Sequence, residues 1–191
     1  RYFKDTSGRK RNTMSKAEKE KKNLVGWYLP SDDPSATLLG KAQWSWLEEQ
    51  LRKEADVRII ASSIQVIASE KGMESWGNYP QERDRLFELI AKTKANGVMF
   101  ISGDVHFSEI SMSDDGPYPL HDFTSSGMTH ANKSWSKRIN SYRIGEAYAG
   151  LNFGLIHIDW NQDDPVIRLQ TITQNNKTAI QHIIKRHELC I

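Results

Sequence analysis

The segment that most constrains the fold is a continuous apolar run, Val98-Met99-Phe100-Ile101, which leads directly into Ser102-Gly103-Asp104-Val105-His106. Consecutive apolar residues without an alternating polar face are typical of a strand that is buried on both sides of a sheet, as in α/β proteins. Ligands of open α/β sheets bind outside the carboxyl ends of the strands. The run therefore predicts a layered α/β fold with a functional site that begins near Gly103.

Upstream of this strand, the pattern predicts alternating helices and strands. Residues 1–39 are polar and punctuated by Gly, Pro and Ser, so we expect a linker that holds one short charged helix over 15–22. Residues 40–112 form the expected core, in the order helix, strand, helix, strand. The predicted helices lie between Gly40 and Ala55 and between Pro80 and Lys94, around a strand over Val57–Ala61, and the inward residues are Trp44, Leu47, Leu51, Leu86, Leu89 and Ile90.

After His106 the pattern favours strands, so residues 113–191 are expected to be rich in β-structure. Predicted strands cover 107–112, 122–125, 153–159 and 166–173. A turn over 174–177 and an alternating stretch from Thr178 then predict an antiparallel hairpin. A helix over 179–189 fits the same residues and remains an alternative.

Composition excludes several classes of protein. The net charge of +2 over 191 residues is too small to indicate a nucleic-acid partner. No apolar run is long enough to predict that this segment crosses a membrane. The single cysteine, Cys190, can form neither an intrachain disulfide nor a thiolate zinc cluster. No phosphate-binding glycine loop of the nucleotide-hydrolase type occurs, which argues against ATP-driven chemistry.

Asp104 and His106 are the candidate functional residues. In an extended stretch, residues two positions apart point to the same side, so both would face one site while Val105 turns to the core. A carboxylate and an imidazole are metal ligands, and phosphate esters are commonly hydrolysed at two-metal sites. The same residues also fit a structural turn with a buried histidine, so the motif alone leaves both interpretations open. His121 and His130 lie near the predicted strand end, where a structural role is the simpler expectation.

The chain around this motif resembles the PhoD-type alkaline phosphatase/phosphodiesterase branch of the calcineurin-like metallophosphoesterases. The resemblance covers most of the sequence and keeps the order of the family's segments. The matching stretches are Arg1–Asp5, Leu38–Leu47, Val57–Ser62, Trp76–Arg83, Val98–His106, Phe123–Thr129 and Asn152–Gly154.

This resemblance implies both a fold and an activity. The fold would be the four-layer αββα metallophosphoesterase sandwich, with residues 1–191 as the C-terminal part of one domain that ends in antiparallel strands. The activity would be metal-dependent hydrolysis of phosphate mono- or diesters, with Asp104 and His106 as metal ligands and His106 also catalytic. A metal pair drawn from calcium, iron or manganese and a secreted or extracytoplasmic location are implied in the same way. Ser125 and Ser126 either line the cleft or cap a turn.

The family's upstream motifs, D-x-H, G-D and G-N-H, are not found in residues 1–191. We therefore expect an upstream segment to complete both the metal site and the core. The chain by itself should bind metal poorly and be marginally stable, because a sheet edge and apolar faces would be exposed. The alternative function is a non-catalytic, β-rich binding or interaction module. The sequence does not indicate the oligomeric state.

Overall fold

A computed structural model of the protein describes residues 10–22, 26 and 28–191. The matched stretch Arg1–Asp5 lies outside these residues. Short elements come first: β1 (Lys10–Arg11), α1 (Lys16–Lys21) and β2 (Tyr28–Leu29), of which β1 and β2 pair antiparallel. Ser15 caps α1 by accepting a hydrogen bond from the backbone N–H of Glu18, as expected for the short charged helix.

Two helices share one hydrophobic core with the main sheet. Helix α2 (Gly40–Leu51) buries Trp44, Leu47 and Leu51, which confirms the predicted inward face. Helix α3 (Pro80–Thr93) starts at a proline, which favours the first helical position, and ends where Lys94 adopts a left-handed conformation with φ of 53°. A short 3₁₀ turn, Trp76–Asn78, precedes α3.

Glu82 joins the two helices. Its buried carboxylate accepts hydrogen bonds from Trp44 Nε1 at 2.8 Å, from Leu38 N at 2.8 Å and from Thr37 Oγ1 at 2.8 Å. It also accepts the N–H of Leu39, the N-cap residue of α2, at 3.3 Å, while Thr37 Oγ1 accepts the N–H of Gly40 at 2.9 Å, so Glu82 and Thr37 together cap α2. Burial by itself raises the pKa of Glu82, but these hydrogen bonds outweigh it, and the pKa lies below its usual value.

The segment immediately before α2 is packed rather than free. Ala36 and Leu38 are 3% and 4% exposed and belong to the hydrophobic core. The expected linker over residues 1–39 therefore ends before these positions, because the cap formed by Glu82 pulls this stretch of chain against α3.

The main sheet has five strands in the order β3-β4-β6-β5-β7. Strand β4 runs parallel to both of its neighbours, and β5 and β7 add antiparallel. Val98, Met99 and Phe100 of β4 are at most 1% exposed, so the predicted buried strand is confirmed. The bounds are β3 (Arg58–Ala61), β4 (Val98–Ser102), β5 (Ser108–Ser113), β6 (Leu120–Ser125) and β7 (Arg143–Tyr148), with a short helix α4 (Lys133–Ser136) before β7.

A second sheet holds three antiparallel strands in the order β10-β9-β8, with bounds β8 (Asn152–Asp159), β9 (Val166–Thr173) and β10 (Thr178–Lys185). Gln181 of β10 lies opposite Gln170 of β9, so the predicted hairpin is confirmed. The alternative helix over 179–189 is wrong except for one 3₁₀ turn at Arg186–Leu189, because the alternating residues bury Ile184 against the core.

Strand β3 is the edge strand of the main sheet among the described residues. Beside it lies a cavity of about 610 Å³, the α2–β3 groove, whose lining includes Leu38, Trp46, Leu47, Ile59, Ala61 and Ser63. Trp46 is 56% exposed and Ile59 46% exposed in this groove. An apolar edge of this kind normally pairs with a further strand or is covered.

In the part of the chain that the structure describes, every helix is too short or too polar to cross a lipid bilayer.

Candidate functional site

The loop that carries the candidate residues follows directly from β4. Asp104 and His106 both have positive φ, 75° and 57°, so the loop is a turn and the extended geometry expected from the sequence is wrong. Asp and His enter this left-handed region more readily than most other non-glycine residues. Val105 is fully buried, as expected, while Asp104 is half-buried and His106 is exposed.

Ser126 holds the loop in place through hydrogen bonds with the backbone of residues 106 and 107. The His106 N–H donates to Ser126 Oγ at 2.8 Å, and the Ser126 N–H donates to the carbonyl oxygen of Phe107 at 3.3 Å. The Asn132 N–H in turn donates to the carbonyl oxygen of His106 at 2.8 Å. The hydroxyl of Ser126 therefore stabilises the turn, which favours the capping role over a position facing the cleft.

Asn152, the first residue of β8, connects the second sheet to the segment that follows β6. Its Oδ1 accepts a hydrogen bond from Ser125 Oγ at 3.1 Å, its N–H donates to the Gly127 carbonyl at 3.0 Å and its Nδ2 donates to the Gly150 carbonyl at 2.8 Å. A Cβ on Gly127 would lie 2.1 Å from Asn152 Nδ2, so only glycine leaves room for this side chain. The stretches around positions 104, 126 and 152 thus form one connected unit.

Two further aromatic side chains contact His106. Its ring stacks on Trp135 with centroids 5.9 Å apart, and the ring of His130 lies 5.7 Å away. Thr129 Oγ1 lies 2.9 Å from His130 Nδ1 and restricts that ring. The sequence places His130 only near the strand end and gives no signal for Trp135, because the contact depends on how the 127–135 segment folds back over the loop.

A buried polar network lies behind the loop. Asp122 is fully buried and accepts hydrogen bonds from Ser102 Oγ at 2.6 Å and Val66 N at 2.7 Å, which fixes the residue just before Gly103. Burial raises the pKa of Asp122. His121 and Asp122 both lie in strand β6 and contribute no group to the loop surface. The imidazole of His121 points towards His182.

Glu109 forms the charged part of this network. It pairs with Lys71 and, at 2.7 Å, with Arg143. Burial by itself raises the pKa of Glu109, but the two cations outweigh it, so the pKa is lowered and the carboxylate is ionised at neutral pH. The pair holds β5 and β7 beside the loop.

The metal donors present form an incomplete set. Within residues 10–22, 26 and 28–191, no group of three or more His, Cys, Asp or Glu side chains is arranged to hold a metal ion. Asp104 and His106 offer one carboxylate and one imidazole, donor types that fit calcium, manganese or iron. They fit part of a metal centre.

The α2–β3 groove reaches the same end of the sheet. Its lining includes Ser62 and Ser63, which follow the last residue of β3. A Cβ on Gly103 would lie 3.9 Å from the carbonyl oxygen of Ser63, so the groove and the loop are adjacent.

Comparison with known proteins gives a consistent result. A family model described as PhoD-like phosphatase matches residues 8–149. Alkaline phosphatase D of Bacillus subtilis (strain 168) is 35% identical over 91 residues, which cover 41% of this chain and 16% of that protein. A solved structure titled "Structure of PhoD" matches with a TM-score of 0.57 and 21% identity over 82% of this chain and 34% of the other. The chain therefore spans a minor part of the length of each relative.

Proposed function

Because the chain belongs to the PhoD-like phosphatase family, we propose that it serves in the metal-dependent hydrolysis of phosphate mono- or diesters. The observation that carries the proposal is the placement of Asp104 and His106 on an accessible turn at the carboxyl end of the central parallel strand. The α/β architecture predicted from the sequence agrees with the fold of the matched solved structure.

In this proposal, the side chains of the turn hold a pair of metal ions drawn from calcium, iron and manganese. Asp104 supplies an oxygen donor and His106 a nitrogen donor. When bound, such a pair stabilises charge on the phosphoryl oxygens and lowers the pKa of an attacking water. Trp135 restricts the His106 ring through stacking, and Ser126 fixes the backbone of the same residue. The His106 side chain remains exposed to solvent.

We further propose that this chain supplies only part of the site. The donor set in the described residues is incomplete, and the relatives are several times longer than the stretch they share with this chain. The α2–β3 groove offers an apolar edge beside the loop against which a further segment of the domain would pack. The activity would then belong to the longer protein, with a phosphate ester as its partner.

Exposed apolar residues on the second sheet favour a second function, a non-catalytic β-rich interaction module. Leu155 and Ile183 are 44% and 48% exposed on β8 and β10. In this alternative the turn at Asp104 is structural, and the sheet surface binds a protein partner.

Substitution of the two candidate ligands separates the functions. In the longest form of the protein that contains this chain, D104N and H106N should each reduce metal-dependent hydrolysis of p-nitrophenyl phosphate and bis-p-nitrophenyl phosphate by at least about 100-fold. The melting temperature should stay unchanged. D84N and H157N remove an exposed carboxylate and an exposed imidazole elsewhere and serve as matched controls.

Two results would contradict the proposal. If D104N and H106N retain metal-dependent activity close to that of the unsubstituted protein, the site assignment is wrong. If the longer protein hydrolyses neither ester with any of calcium, iron or manganese, the phosphoesterase function is wrong and the interaction module is favoured.

A further inference from the structure

Two histidines meet between the sheets, away from the candidate site. His121 lies near the start of β6 and is 5% exposed, while His182 on β10 is half-buried. His121 pairs in register with Met99, the second residue of β4, whereas Thr124 pairs with Ser102 beside the loop. The histidine pair therefore lies toward the opposite end of the strands from Asp104 and His106.

The separation of the two rings matches that of two ligands of one metal ion, and in the absence of an ion it also accommodates a hydrogen bond between the two Nε2 atoms. Their Nε2 atoms are 3.3 Å apart and their centroids 5.2 Å apart. Two nitrogens bound at about 2.0–2.1 Å to one tetrahedral ion lie roughly 3.3–3.4 Å apart, with ring centroids about 5 Å apart.

The tautomer of His121 prepares its Nε2 atom for an ion. His121 Nδ1 lies 3.1 Å from the carbonyl oxygen of Pro119, and because a carbonyl only accepts, Nδ1 carries the proton. Nε2 then directs its lone pair toward His182. Metal-ligating histidines almost always donate their other N–H in this way, to a carbonyl or a carboxylate.

We propose that His121 and His182 form a second metal site that takes a borderline divalent cation such as Zn²⁺ and links the two sheets. Imidazole pairs suit Zn²⁺, Ni²⁺ and Cu²⁺, whereas Ca²⁺ prefers oxygen donors. Water completes the coordination, since in the described part of the chain no third His, Cys, Asp or Glu joins a metal cluster. His182 is only partly buried, which leaves the ion a route of entry.

Thermal unfolding of the 191-residue chain with and without ZnCl₂ tests the site. An ion that binds only the folded state at 100 times its dissociation constant should raise the melting temperature by at least about 5 °C. Ca²⁺ should give no shift. H182N, which changes the more exposed ring, should abolish the Zn²⁺ shift, whereas H157N should keep it.

The same shift in D104N and H106N distinguishes this site from the candidate phosphoesterase site. Electron paramagnetic resonance of bound Cu²⁺ should report two imidazole nitrogens in the parent chain, and this two-nitrogen signal should be lost in H182N, a readout that does not depend on stability. The proposal is overturned if Zn²⁺ gives no shift, if H182N shifts as much as the parent, or if the shift disappears in D104N and H106N instead.

Discussion

Replacement of Glu82 by alanine should lower the free energy of unfolding by about 3–5 kcal/mol, because one buried carboxylate caps α2 and ties it to α3. Three donors, on Trp44, Leu38 and Thr37, lie 2.8 Å from Glu82 Oε2. Each bond to a charged acceptor contributes about 1.5–3 kcal/mol, and the buried N–H groups of Trp44 and Leu38 would lose their acceptor. Helix propensity changes little, since alanine is a good helix former.

The isosteric variant E82Q should lose less, about 1–2 kcal/mol, because the amide oxygen still accepts while the amide nitrogen faces a donor. Glu88 lies on the same helix and is exposed, so E88A and E88Q are matched controls that should change the free energy by less than about 0.5 kcal/mol. Urea unfolding at pH 7, followed by tryptophan fluorescence and circular dichroism, measures all four variants.

The pH dependence gives an independent check of the same carboxylate. The pKa of Glu82 is lowered in the folded protein from a usual value of 4.5, so its stabilising contribution is present above pH 4.5 and is lost as the pH falls through the folded pKa. The difference between the parent and E82Q should therefore shrink below pH 4.5. A loss in E82A of less than about 1 kcal/mol, or equal to that in E88A, would refute the capping role.

Three further predictions concern other buried groups. The pKa of His121 is lowered to about 4 by burial and by the neighbouring imidazole, against 6.5 for an unburied histidine. Stability from this ring is complete above pH 6.5 and is lost toward pH 4, by at most about 3 kcal/mol. Urea midpoints between pH 7 and pH 4 should fall less in H121N than in the parent. K71M should destabilise by about 3 kcal/mol by leaving Glu109 with one cation fewer, and the double variant K71M/E109Q should recover part of that loss in the same assay. G127A should cost about 1–3 kcal/mol in urea unfolding, because its Cβ displaces the amide of Asn152.

The sequence predicted the elements that periodicity and turn residues control. Helices α2 and α3, strand β4 and the hairpin of β9 and β10 lie within a few residues of their predicted bounds. Strand β7 was not predicted, because its residues Arg143–Tyr148 combine a glycine and charges at a partly exposed sheet edge. The conformation of β7 is set by its pairing with β5, and not by the residue pattern of β7 itself.

The site was predictable as a position but not as a geometry. The apolar run of β4 placed the loop at a strand end, which the structure confirms, and Val105 is buried as expected. The left-handed residues could not be inferred, because Asp and His also occupy extended positions. The contacts of His106 with His130 and Trp135 join residues 24 or more positions apart, beyond any local pattern. Whether Asp104 and His106 bind metal remains a prediction.

Asp104 and His106 both have positive φ. At these two positions, the residue type that gives the most stable backbone differs from the residue types that the proposed hydrolysis requires. Glycine adopts that backbone freely, whereas a residue with a Cβ is held there at a cost of order 1 kcal/mol. Laboratory evolution for heat tolerance alone should therefore drift toward glycine at both positions and discard the carboxylate and the imidazole. A library meant to preserve hydrolysis has to hold them fixed and seek its gains elsewhere in the chain.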